Sequence, residues 1–158
     1  MTIIRLQIVL TLLLALLSRC FLVALSLPTR SPQSLDILRA RDACSASGKL
    51  DSDQRRALDR QEYENTLWVR RYIYCFWTQL QLWDDSGFNT NRILHTYGGR
   101  QRLNEEQALP AINGCNARAR RDSKNALSWC YNAFICILRT PVGDWYRRYM
   151  LDVINGNA

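Results

Sequence analysis

The side chains of this sequence that could carry out chemistry beyond packing are its cysteines and its histidine. The 158 residues contain six cysteines and one histidine, His95. A nucleophilic triad needs a histidine, so it could form around His95 alone. That residue lies in "RILHTYGG", next to the apolar pair Ile93-Leu94. A surface or hydrogen-bonded histidine is the simpler interpretation, because the partners of a catalytic base are not evident. We predict no catalytic residues and no enzymatic activity.

The same residue types could also hold a metal ion, but their spacing does not favour it. The sequence has no Cys-x-x-Cys pair, and its single histidine is too few for the common zinc sites. We therefore predict neither a metal nor any other cofactor. Disulfide formation is the chemistry that remains, and it depends on an oxidising compartment.

The first 26 residues have the organisation of a secretory signal peptide. Arg5 gives a positive start, "LQIVLTLLLALL" is the apolar core, and Ala24-Leu25-Ser26 is a small-x-small cleavage site. A membrane anchor is the alternative, but Arg19 interrupts the apolar run. We predict that residues 1–26 are removed and that residues 27–158 form a single secreted, extracellular domain without a membrane span.

A positive charge would remain on the secreted domain. Loss of Arg5 and Arg19 with the signal peptide lowers the formal charge from +7 to +5. A basic surface suits an anionic partner, although an ordinary solvated face is the alternative. We predict a polyanion patch that could bind an anionic polysaccharide or surface, and no nucleic-acid function. Its residues are Arg118, Arg120, Arg121 and Lys124.

Cleavage would also remove Cys20, so an odd number of cysteines would remain. One of the five is then a spare thiol or pairs with another chain. A bond between Cys130 and Cys136 is excluded, because one helix would separate them by about 9 Å of rise and point them apart. Cys136 lies off the apolar stripe of its helix and is the candidate for the spare thiol. The five are Cys44, Cys75, Cys115, Cys130 and Cys136.

The elements that position these residues are all predicted to be helical, because no segment shows sustained period-two alternation. The longest helix is predicted from Tyr63 to Trp83, since apolar residues recur there at helical spacing, and Trp77 lies off that stripe at the surface or at a crossing. Pro110 is expected to kink or divide a helix that starts near Asn104. The segment "NARARRDSK" is interpreted as an exposed connection. The predicted fold class is all-α, with six or seven short helices.

Three segments of the chain are similar to the insect odorant-binding-protein superfamily. They are "RYIYCFWTQLQLWDDSGFNTNRILHTYGG", "ALPAINGC" and "RDSKNALSWC". Their order of cysteine-bearing helix, acidic-Gly turn, short helix and two later cysteines resembles the short salivary branch from blood-feeding flies. The resemblance covers roughly Cys44 to Ile154. It implies an odorant-binding-protein-like helical domain around an apolar ligand pocket, held by disulfides.

The resemblance also implies a disulfide pattern. The superfamily usually has six cysteines in three bridges, and the second and fifth are absent here, near Ala57 and near Lys124. The expected pairs are then Cys44–Cys75 and Cys115–Cys130, with Cys136 as an extra thiol.

By resemblance, the ligand is a small hydrophobic or amphipathic molecule held by aromatic walls. Plain core packing is the alternative for each aromatic. A nearby arginine, Arg147, could hold a carboxylate. The predicted ligand-binding residues are Trp68, Tyr72, Phe76, Trp129, Phe134, Trp145, Tyr149 and Arg147.

The resemblance also suggests a role. Some relatives bind biogenic amines through carboxylates near the C-terminal helices, but here only Asp144 and Asp152 are acidic in that segment. We therefore expect a lipid-like or anionic mediator such as an eicosanoid, sequestered in saliva as a mediator of host haemostasis or inflammation. The alternatives are an odorant or pheromone carrier, an anticoagulant that binds anionic surfaces, and a helical cytokine-like signal.

Overall fold

The computed structural model describes most of the chain that follows the predicted signal peptide. Residues 1–26, the Gly98-Gly99 helix stop and the side chain of His95 lie outside the described residues. The described stretches are 31–84, 86–96 and 103–158, with the side chains of 95 and 96 excepted.

The described residues form seven helices and one short β-hairpin, which confirms the predicted all-α class. None of these helices is both long and apolar enough to cross a membrane. The helices are α1 (Pro32–Ser47), α2 (Ser52–Asp59), α3 (Leu67–Gln79), α4 (Thr90–Thr96), α5 (Glu105–Asp122), α6 (Ala126–Ile137) and α7 (Pro141–Asn155), and the strands are β1 (Trp83–Asp84) and β2 (Gly87–Phe88).

Polar side chains cap the first turns of several helices. Asp51 caps α2 and, with the side chain of Gln54, completes a capping box. Asn104 caps α5 and Asn125 caps α6, each by accepting a backbone N–H bond from the first turn. These bonds satisfy amide groups that have no partner inside the helix.

Helices α1, α2 and α3 end in the same way, on a non-glycine residue in the left-handed conformation. These residues are Lys49 (φ 51°), Gln61 (φ 59°) and Gln81 (φ 57°). After α1, the Lys49 N–H donates to the Ala46 carbonyl and the Leu50 N–H donates to the Ser45 carbonyl. That pair of bonds is a Schellman motif, which satisfies the last carbonyls of a helix. A side chain in this conformation costs about 1–2 kcal/mol, so the tertiary packing must hold it.

The helix predicted from Tyr63 to Trp83 is shorter than expected, because α3 runs only from Leu67 to Gln79. It has 13 residues, so the prediction that it is the longest helix is wrong, and α5 with 18 residues is longer. The chain reverses at Gln81 and enters the hairpin, where Trp83 pairs with Phe88. A turn was expected in the acidic-Gly segment, and the pairing of Asp84 with Gly87 shows that it belongs to a hairpin, which was not predicted. Gly87 has a φ of 115°, and a Cβ there would lie 2.2 Å from the Asn116 Nδ2 atom. The positive φ therefore favours glycine at this position, and a Cβ would also displace the Asn116 side chain.

Helix α5 is longer than the sequence indicated. It runs unbroken through Pro110, and "NARARRDSK" continues the helix to Asp122 instead of forming a connection. The buried residues are Ala108, Ile112, Cys115 and Ala119, at steps of four, three and four. Apart from Ile112, these side chains are small, so the apolar periodicity of the sequence is weak here. The stripe nevertheless packs closely against α6.

An aromatic cluster fills the interior between α3, the hairpin, α6 and α7. Trp77 was predicted at the surface or at a crossing. It is only 6% exposed. Its ring lies 5.0 Å from Phe88, 5.6 Å from Phe134 and 5.7 Å from Tyr146. Trp77 is buried because elements distant in sequence converge on it, which the periodicity of α3 alone does not reveal.

The two disulfides confirm one predicted pair and correct the other. Cys44–Cys75 links α1 to α3 as expected. The second bond is Cys115–Cys136, with a Cα–Cα distance of 5.5 Å, and Cys130 is the free thiol. Cys136 faces α5, as does Asn132, which lies one helical turn before Cys136 on α6. Cys130 lies on the apolar stripe and therefore points into the core, where it is 0% exposed.

Thiol labelling should distinguish these pairings in the chain lacking residues 1–26. We expect no reaction of the native protein with a maleimide, and one label on Cys130 after denaturation without reductant. Burial raises the pKa of the Cys130 thiol, so the thiolate is suppressed as well as shielded. A label on Cys136 found by peptide mapping would contradict the Cys115–Cys136 bond.

Two helical glycines provide a matched test of packing. A Cβ on Gly143 would lie 2.5 Å from the backbone of Leu138, whereas a Cβ on Gly114 meets no atom within 4 Å. We expect Gly143→Ala to lower the free energy of unfolding by about 1–3 kcal/mol through overpacking. Gly114→Ala should raise it by about 0.5–1 kcal/mol through lower chain entropy. Urea denaturation measures both, and equal effects would contradict the tight α6–α7 turn.

Candidate functional site

The aromatics predicted to bind ligand do not form one wall. Phe76 and Phe134 lie in the interior cluster and are 2% and 1% exposed. Trp68 and Tyr72 lie together near the Cys44–Cys75 bond. Trp129 lies beside the hairpin, and Trp145 and Tyr149 lie on α7. The described residues therefore do not form a single pocket lined by all seven aromatics.

Trp129 belongs to a cluster beside the hairpin. Its ring lies 4.8 Å from the Trp83 ring, and its Nε1 donates to the Asn116 carbonyl at 3.0 Å. The Arg120 guanidinium lies over the Trp129 ring at 5.1 Å. Arg120 was assigned to the polyanion patch, but here it also stabilises this packing by a cation–π contact.

Trp145 and Tyr149 stack on each other along α7, with 5.2 Å between ring centroids. Arg147, predicted to hold a ligand carboxylate, donates from Nη1 to the Leu138 carbonyl at 2.8 Å. The same atom lies 3.9 Å from Asp144. Arg147 therefore ties α7 to the end of α6.

The candidate site is a groove on the surface between α1 and α3, called here the α1–α3 groove. It has a volume of about 630 Å³ and lies over the first disulfide. That volume falls within the range of small-molecule sites, about 300–1,000 Å³. Its lining residues are Cys44, Ser47, Gly48, Lys49, Leu50, Leu67, Trp68, Arg71, Tyr72 and Cys75.

The groove combines an apolar floor with a cationic rim. Leu50 and Tyr72 are buried and Leu67 is 57% exposed, so apolar surface extends from the floor to the edge of the groove. Lys49 and Arg71 supply two positive charges, and none of the ten lining residues is acidic. Such a surface fits an apolar body that carries an anionic group.

Helix endings and helical spacing position the rim. Lys49 is the left-handed residue of the Schellman motif after α1, so a strained backbone presents its side chain. Arg71 lies three residues after Trp68 and four before Cys75, on one face of α3. Sequence reasoning missed both. The spacing of Arg71 from two selected residues could have indicated it, but nothing local marks Lys49.

Tyr72 connects the groove to the interior. Its ring stacks on Phe76 at 5.9 Å. Behind it lie Tyr63 and Tyr146, whose hydroxyl oxygens are 3.5 Å apart. Burial raises the pKa of all three tyrosines, and for Tyr72 the Arg41 guanidinium opposes the shift. Their hydroxyls are therefore neutral and can donate hydrogen bonds.

Comparison with known proteins gives the class. The PBP/GOBP family model matches residues 27–140. The matched span is well over half of the chain, so the protein belongs to the PBP/GOBP family. The match ends at Thr140, directly before α7. No curated protein sequence matches significantly.

The chain also resembles solved insect structures. The odorant-binding protein 22a of Anopheles gambiae, in an open status for ligand binding, shares 17% identity over 76% of this chain and 98% of its own, with a TM-score of 0.57. The same protein with bound odorant cyclohexanone shares 17% identity over 75% and 95%, with a TM-score of 0.54. At such identity the likeness shows the fold, and it confirms the resemblance to insect odorant-binding proteins.

Membership of this family defines a small-ligand binder rather than an enzyme. Within the described residues, no group of three or more histidine, cysteine or acidic side chains could hold a metal ion. The aromatic and charged side chains of the α1–α3 groove are of the kinds that recognise small ligands non-covalently.

The buried tyrosines predict a loss of stability in alkali. Their folded pKa values lie above the ordinary 10.0, so their contribution is complete below pH 10 and declines above it, where the unfolded chain ionises. The free energy of unfolding should fall by about 1.4 kcal/mol per pH unit for each such tyrosine. Urea titrations at pH 9 to 11 measure this. Tyr146→Phe should flatten the decline, and an unchanged slope would contradict the assignment.

Proposed function

We propose that this protein binds a small amphipathic ligand with an anionic head group in the α1–α3 groove. The observation that carries the proposal is the pairing of Lys49 and Arg71 with an aromatic and aliphatic floor that has no acidic residue. The head group would accept hydrogen bonds from the two cations, which are stronger than neutral ones. The apolar body would cover Trp68 and the exposed Leu67.

An amine ligand is disfavoured by the position of the two candidate acids. The side chain of Asp144 is 68% exposed and lies near Arg147. Asp152 is also exposed. A cationic ligand needs a desolvated carboxylate, and neither acid lines the α1–α3 groove. The ligand class we propose is therefore an eicosanoid-like lipid, in preference to serotonin or histamine.

In this proposal the protein is secreted after removal of residues 1–26 and sequesters mediators of host haemostasis or inflammation in saliva. The alternative is an odorant or pheromone carrier in sensory lymph. Transcript abundance in salivary gland against antenna separates the two roles. Strong expression confined to the antenna would overturn the salivary role while leaving the ligand class untouched.

Titration calorimetry can test the ligand class directly. We expect the native protein to bind arachidonate, and its uncharged methyl ester at least about tenfold more weakly, because a charge-assisted hydrogen bond is lost. Arg71→Gln should weaken the binding of arachidonate by a similar factor and leave the binding of the ester unchanged. Serotonin binding that is abolished by Asp144→Ala or Asp152→Ala would overturn the proposal, as would tighter binding of neutral cyclohexanone than of arachidonate.

A second pair of variants separates binding from stability. Lys49→Gly removes a rim charge but relieves a left-handed residue, so it should raise the free energy of unfolding by about 1 kcal/mol while weakening arachidonate. Gln81→Gly is the matched control, because Gln81 holds the same conformation outside the groove. It should stabilise equally without affecting affinity. Equal affinities in the two variants would exclude Lys49 from the site.

A further inference from the structure

A second basic surface lies beside the Cys115–Cys136 disulfide, along helix α5. Two shallow grooves flank the helix there, with volumes of about 580 and 680 Å³. Gly114 and Arg118 line both grooves, so the two are continuous. Arg139 lines the first groove and Arg121 the second. We call the combined area the α5 surface.

Three arginines of the α5 surface lack the carboxylate partner that five arginines elsewhere in the described part of the chain have. Five arginines elsewhere lie within 4.0 Å of a carboxylate. They are Arg39, Arg41, Arg56, Arg60 and Arg147. Among the described residues, no ion pair involves Arg118, Arg121 or Arg139, all of which are exposed. Asp122 lies one turn after Arg118 without pairing with it. The α5 surface therefore presents uncompensated charge.

The shape of this surface indicates a chain-like anion. Residues 110–121 extend over about 17 Å of helix, and no acidic side chain lines either groove. Neither groove contains an aromatic residue, which disfavours stacking with nucleic-acid bases. The one large aliphatic residue in the two grooves is Ile135, which is too little apolar area for insertion into a bilayer.

We infer that the α5 surface binds a linear sulfated polysaccharide. Arg118 stands at the centre, Arg121 and Arg139 extend the contact into the two grooves, and Gly114 leaves the path open because it has no side chain. Arg120 plays a different part, since its guanidinium lies over Trp129. This site is separate from the α1–α3 groove, so the two can be tested independently.

Retention on heparin measures the inference against a control of equal charge. Arg118→Gln, Arg121→Gln and Arg139→Gln together should abolish retention at physiological salt and reduce the slope of log affinity against log salt by roughly two to three. The control is Arg39→Gln, Arg56→Gln and Arg60→Gln, whose guanidinium groups are also exposed but paired. It should remain bound. Equal loss in both triples would show a response to net charge and overturn the site.

A single substitution tests the same surface without removing an arginine. Gly114→Glu places a carboxylate at the junction of the two grooves, where an added Cβ meets no atom within 4 Å. We expect it to fold and to lose heparin, whereas Ala43→Glu on the exposed face of α1 should retain it. Heparin binding unaffected by Gly114→Glu would overturn the inference. So would binding of phosphatidylserine vesicles by a native protein that does not bind heparin.

Discussion

Trp77 is the side chain on which the mutual packing of α3, the hairpin, α6 and α7 depends. Its ring contacts four others, from α3, the hairpin, α6 and α7. Because rings prefer edge-to-face and offset contacts at 4.5–7 Å, the four elements must adopt particular relative positions around it. The short hairpin, which has little stability alone, is held by Phe88 against this ring. The ends of the helices then adjust to the interior, and three of them accept a left-handed residue.

Aromatic rings occupy the interior between α3, the hairpin, α6 and α7, and the grooves described above lie at the surface. The grooves over Cys44–Cys75 and Cys115–Cys136 both lie where a disulfide joins two helices. A short covalent link holds two backbones close while leaving little side-chain volume above it. Arginine or lysine side chains stand at the edges of both grooves without an acidic neighbour in the lining. The basic composition of the chain thus becomes two localised surfaces, one with an apolar floor and one extended along a helix.

Of the ten residues that line the candidate site, the sequence predicted two as ligand-binding. Trp68 and Tyr72 were selected from their helical spacing, and they do line the α1–α3 groove. Lys49 and Arg71 were missed because a charge has no periodic signal, and Lys49 reaches the groove through a loop conformation rather than a helix face. Phe134 and Phe76 were assigned to the ligand although they fill the core. An aromatic stripe is the same pattern whether it faces a ligand or another helix.

The sequence by itself determined the helical class and the acidic-Gly turn, because helical stripes and turn residues are encoded within a few residues. The Cys44–Cys75 bond was expected from the resemblance to the odorant-binding-protein superfamily, since it joins helices that no local pattern relates. Tertiary structure alone decided which cysteine pairs with Cys115. Cys130 and Cys136 are separated by less than two helical turns, and what distinguishes them is the face of α6 that meets α5. It likewise decided that Trp77 is buried and that Arg118 and Arg139 share a groove. Contacts of this kind join residues distant in sequence, so no local pattern contains them.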